Sequence, residues 1–111
     1  MSECVLFYRS HVKTYYVKDG EPTGEQNNIK HSLRPLEDMF GDTPAVDFGA
    51  KKLKLVREEM IRKGRSRRYT NASVRRIKRF FNWCAEEELI PGEVAVNLQP
   101  VAGLEIDRSR R

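Results

Sequence analysis

The chain is short of long apolar runs. Its longest stretch without a polar group is Cys4 to Phe7, far below the roughly 20 residues of a membrane-spanning helix, and it holds no signal-peptide core. Cysteine is scarce. Cys4 and Cys84 stand 80 positions apart, which is no disulfide framework and predicts two reduced, buried thiols. A zinc site would need both to converge with His11 and His31, without the paired spacing such sites use. Phosphate-loop and dinucleotide glycine patterns are missing, as is His-Glu-x-x-His. The carboxylate runs Glu58-Glu59 and Glu86-Glu87-Glu88 sit on helix surfaces beside basic residues, whereas acid–base catalysis needs carboxylates in a cleft with shifted pKa values. These absences predict a chain with no metal, no cofactor and no active site of its own. They also predict a cytoplasmic location and no membrane partner.

What is present is charge, unevenly placed. The 111 residues are 39% hydrophobic and 33% charged, with a net charge of +5. That length suits one domain with a modest core. Residues 1–50 hold 5 Lys/Arg against 8 Asp/Glu, and residues 51–111 hold 16 against 8. Lys51 to Phe80 alone carries 13 basic residues against Glu58 and Glu59. A solvated helix face usually mixes both signs. A one-sign block within periodic, aromatic-containing sequence points to a polyanion, nucleic acid foremost, with an anionic membrane or an acidic protein as alternatives.

Hydrophobic periodicity predicts helices throughout. Val5, Tyr8, Val12, Tyr15 and Tyr16 form one stripe, with Ser2 as its expected cap and Asp19-Gly20 as its stop. Glu21 to Gly24 reads as a turn, and Thr23 with Gln26 fits a capping box. Ile29, Leu33, Leu36 and Phe40 make a second helix that Pro35 should kink or break near His31 to Arg34. Asp47 is the expected cap of a third, with Leu53, Val56, Met60 and Ile61 inward and Gly64 at its end. A fourth helix is expected from Thr70 or Asn71. Val74, Ile77, Phe81, Cys84 and Ala85 form its core face. Tyr69, Arg76, Phe80 and Trp83 form a neighbouring band, and Asn71, Arg75, Lys78, Arg79 and Asn82 the opposite, polar face. Val94, Val96 and Leu98 suit a short final helix or turn. No strand pattern survives, so the fold class is all-α.

The ordered segments Leu33-Arg34-Pro35-Leu36, Gly41-Asp42-Thr43-Pro44-Ala45, Phe48-Gly49 and Leu53-Lys54-Leu55-Val56-Arg57 resemble the amino-terminal, core-binding domain of tyrosine recombinases (phage integrases). The stronger part is Arg68-Tyr69-Thr70-Asn71, Val74, Ile77, Phe80-Phe81-Asn82-Trp83-Cys84-Ala85 and Glu88-Leu89-Ile90-Pro91, similar to that family's last long helix and its exit. Val101-Ala102-Gly103-Leu104 resembles the start of the linker to the catalytic domain. A common Asn-Pro after the exit is here Pro91-Gly92-Glu93-Val94.

The resemblance implies a four-helix, SAM-like bundle of two crossed hairpins over residues 1–103, with 104–111 opening a linker. It implies binding to double-stranded DNA beside other recombinase protomers, in the service of DNA integration and recombination. Catalysis would belong to a separate domain, and the fragment alone would be a nucleoid-associated monomer. The second and fourth helices of that family approach the major groove. That points to Thr23, Gln26, Asn27 and Lys30, and to Arg67, Arg68, Asn71, Arg75, Lys78 and Arg79. Asn71 has an equal claim as helix cap. The competing function is a helical protein-interaction domain whose basic face meets an acidic partner.

Overall fold

The computed structural model describes residues 1–15, 17–18, 21–22 and 24–102. In it the chain is an all-α bundle: α1 (Ser2–Tyr15), α2 (Gly24–Phe40), α3 (Ala50–Arg62), α4 (Arg67–Glu86) and a short α5 (Gly92–Val96). A 3-10 turn, Ala45–Asp47, precedes α3. The expected turn at Glu21 is instead half of a two-residue antiparallel ribbon, with Val17 opposite Pro22 and Lys18 opposite Glu21.

α4 is the axis of the bundle. It buries Thr70, Ser73, Val74, Ile77, Phe80, Phe81 and Cys84, and it packs against α1, α2, α3 and α5. Phe80 therefore belongs to the core and not to a flanking band, because a helix covered on several sides buries more than one stripe. Phe81 stacks on Phe48 with centroids 5.0 Å apart, and Phe80 meets Tyr8 at 5.2 Å. A buried polar contact joins α2 to α4, where the Ser32 hydroxyl donates to Ser73 Oγ at 3.1 Å.

Several helix ends differ from expectation. Ser2 does not cap α1; its hydroxyl and its N–H both donate to the Gly41 carbonyl, tying α1 to the turn after α2. A β-carbon at Gly41 would lie 2.5 Å from the Glu37 carbonyl oxygen, so the turn accepts only glycine. α2 runs unbroken through Pro35. The ring removes a single donor there, and the buried Ile29, Ser32, Leu33 and Leu36 hold the helix on both sides of it. Asp47 lies inside the 3-10 turn, and the cap of α3 is Gly49, without a side-chain bond.

α3 ends as expected at Gly64, which takes φ +86°. The Gly64 N–H donates to Ile61 and the Arg65 N–H to Met60, the paired bonds of a Schellman stop. α4 closes in the same way, with Glu88 donating to Ala85 and Leu89 to Cys84. Its left-handed residue is Glu88 itself, at φ +60°. Leu98 and Val101 return to the core, so the packed body extends past α5.

Candidate nucleic-acid interface

α4 begins earlier than its periodicity suggests. Ser66 is the cap, its Oγ accepting from the Tyr69 N–H at 3.0 Å. Arg67 and Arg68 thus occupy the first helical turn, and Asn71 lies a full turn inside, which removes its claim as the cap. Opposite the core, α4 presents Arg68, Ala72, Arg75 and Arg79 at spacings of 4, 3 and 4, one continuous outer stripe. Ala72 leaves the middle of that stripe low, and no carboxylate lies on it until Glu86. Arg67, Arg68 and Arg75 are exposed and form no ion pair among the described residues.

Arg79 and its neighbour Arg76 are partly engaged. Glu25, in the first turn of α2, accepts from Arg79 at 2.8 Å and from Arg76 at 3.2 Å. Partial burial works to raise the Glu25 carboxyl, but the hydrogen bonds from Arg79 and Arg76 outweigh it and hold its pKa below the usual 4.5. Arg79 remains 46% exposed against 20% for Arg76, so Arg79 can still reach outward while Arg76 acts as a strut.

Lys78 is placed differently from its expected role. Its Nζ donates to the Gln99 carbonyl at 3.1 Å and to the Val101 carbonyl. Arg57 on α3 donates to the Ala102 carbonyl at 2.7 Å, and the Gln99 amide reaches Asn82 at 3.4 Å. The segment after α5 thus lies along one flank of α4, and Lys78 is the cation that holds it there. Its hydrogen bonds go to main-chain carbonyls, which sets it apart from the open arginines of α4.

The α2 residues lie apart from this stripe. At about 100° per residue, Gln26 and Lys30 point roughly 100–140° around the helix from Glu25. They line a groove with α1, together with Asn27, Arg9 and Lys13. Thr23 lies outside the described residues. The nine described contacts therefore divide: Arg67, Arg68, Asn71, Arg75 and Arg79 on α4, Gln26, Asn27 and Lys30 in the groove, and Lys78 in the clamp. Arg9 and Lys13 were missed, although their four-residue spacing already placed them on one side of α1.

The thiols of Cys4 and Cys84 are both free, and Cys84 is buried. Burial and the adjacent Cys4 thiol push the Cys84 pKa up, so it stays protonated and unreactive. Among the described residues no group of three His, Cys, Asp or Glu side chains could hold a metal ion. Among them no helix is long and apolar enough to cross a membrane. Comparison of the chain with protein-family models, with curated proteins and with solved structures finds no match.

Proposed function

We propose that the chain is a duplex-DNA-binding module, the core-binding domain of a site-specific tyrosine recombinase. The observation that carries this reading is the α4 stripe of Arg68, Ala72, Arg75 and Arg79, with Arg67 exposed at the helix start. A helix whose open face is cationic and whose other sides are anchored in the core can present arginines to phosphates and guanine edges. In this reading the chain holds and orients the duplex, and strand cleavage falls to a separate domain. The sequence resemblance, whose stronger part lies on the same helix, supports the same conclusion.

Titration of a fluorescent duplex with the purified chain over a range of salt tests the proposal. Four phosphate contacts, one each from Arg67, Arg68, Arg75 and Arg79, give log K a slope near −3 to −4 against log salt. Affinity for a single module would be micromolar or weaker. A slope near zero would reject the reading. The competing function, an interaction domain for an acidic protein, finds its support at the α1–α2 groove.

A further inference from the structure

We infer that Cys4 and Cys84 are an oxidisable pair, a site at which a low-molecular-weight disulfide closes a bond that staples α1 to α4. The two cysteines stand 80 positions apart, and the crossing of the two helices is what joins them. α1 crosses α4 over the stretch from Phe80 to Cys84. Tyr8 packs on Phe80 and on Trp83 with ring centroids 5.2 Å apart in each case, and His11 meets Trp83 at the same distance. One turn before Tyr8, Cys4 packs against the core at this crossing, and its thiol shares a hydrogen bond with that of Cys84. Both thiols are free in the chain as described.

The two sulfurs differ in access, and the difference orders the chemistry. Cys84 is 1% exposed, whereas Cys4 is half-buried. Cys4 therefore meets the oxidant. Having lost its proton to water, its sulfur attacks the disulfide RSSR. A mixed disulfide forms on Cys4, and RS⁻ leaves and takes up a proton. Cys84 is closed to solvent, so an activated Cys4 is the electrophile within its reach. It attacks the Cys4 sulfur and gives its proton to the second departing RS⁻. Two protein thiols lose two electrons and two protons, and RSSR is reduced to two RSH. Cys4 lies in the first turn of α1 and Cys84 in the last turn of α4, where the backbone can yield to the geometry of the bond. α1 is lightly anchored: it buries Val5, Tyr8 and Val12, where α4 buries seven residues. The staple ties the lightly held helix to the central one. Arg68, Arg75 and Arg79 lie on the opposite side of α4 from Cys84, so the inference stands apart from the DNA-binding reading.

Treatment of the dilute, folded chain with oxidised glutathione, followed by its intact mass, provides the test. The chain should lose two hydrogen atoms, stay monomeric and regain both thiols with dithiothreitol. Oxidation should raise the melting temperature by roughly 10–20 °C and slow hydrogen exchange along α1. Cys4→Ser should show neither effect, because Cys84 is then out of reach of the reagent. Circular dichroism matching the parent shows that this variant folds, and Cys4→Ala is its substitute should it fail. A parent that keeps glutathione on Cys4 without closing the bond overturns the inference, and so does one that links two copies through Cys4. So does a parent that retains both thiols, or an oxidised chain that melts no higher than the reduced one.

Discussion

At the scale of single residues, three cations on one helix have three different fates. Arg75 stands open on the outer stripe of α4, Arg79 shares Glu25, and Lys78 is bound to the carbonyls of Gln99 and Val101. Arg75→Ala should therefore weaken duplex binding about equally for all sequences, as loss of one phosphate contact does. Its folding stability should stay within about 0.5 kcal/mol, as exposed substitutions usually do. Lys78→Ala should do the reverse, costing about 1 kcal/mol in thermal unfolding, since a charge-assisted bond at a half-buried site is worth somewhat less than in the interior. Hydrogen exchange at Leu98 to Ala102 should speed up, because that cation holds the segment down. Wheel arithmetic could not separate Lys78 from Arg75. Both are basic residues on the polar side of α4, and the carbonyls that claim Lys78 come from more than twenty positions downstream.

Glu25 adds a dependence on pH. Its pKa is lowered in the folded chain, so its contribution is fully present above the ordinary value of 4.5 and is lost as pH falls through the folded value. The urea midpoint should accordingly drop on acidification below that point. Glu25→Gln should show less of this fall, and the gap between the two proteins should close toward low pH. At neutral pH the same variant should bind duplex more tightly, because the carboxylate beside Arg79 no longer repels the phosphates. A gap that widens on acidification would contradict the pairing.

At the scale of elements, most inward positions were legible, though Tyr15 is 68% exposed, and most helix ends were not, though the Gly64 stop was. Val74, Ile77, Phe81 and Cys84 repeat with helical period and are all buried. The start of α4 was read late because Arg65 to Arg68 looks like a basic connector, and Ser66 shows its role only once the Tyr69 N–H is seen to reach it. Phe80 was read as peripheral because a single stripe was assumed for a helix that others cover on several sides. The ribbon at Val17 and Pro22 had a signal in Asp19-Gly20, a dipeptide frequent in hairpins, but runs of two residues are too short for alternation to register.

The end of α4 yields its own prediction. A left-handed Glu88 costs about 1–2 kcal/mol relative to a relaxed backbone. Its charge also lies at the unfavourable end of the helix dipole. Glu88→Gly should raise stability by about 0.5–1 kcal/mol after the entropy of the added glycine is counted, measured as a higher melting temperature. Phe80→Ala should lower stability by roughly 3–5 kcal/mol through the cavity it leaves. If Phe80→Ala were as mild as a surface substitution, the placement of that ring in the core would be wrong.

At the scale of the molecule, one buried cluster draws residues from every helix and from Leu98 and Val101 beyond them. That closure divides the surface. α4 turns a cationic stripe outward between the first turn of α2 on one side and the clamped segment after α5 on the other. α1, further round, separates a groove rimmed by Arg9, Lys13 and Lys30 from a cleft lined by Arg79, Glu86 and Glu87. Charge counts along the sequence located the basic block correctly in residues 51–80 but gave no hint that Arg9, Lys13 and Lys30 would converge. Those residues lie in the net-acidic first half, and only the packing of α1 against α2 brings them together.

The measurement that bears most directly on the account is the salt dependence of duplex binding, compared among the parent chain, Arg75→Ala and Lys78→Ala. The account predicts a parent slope near −3 to −4, a slope shallower by about 1 for Arg75→Ala, and no change for Lys78→Ala. A parent slope near zero, or equal losses for the two variants, would contradict it.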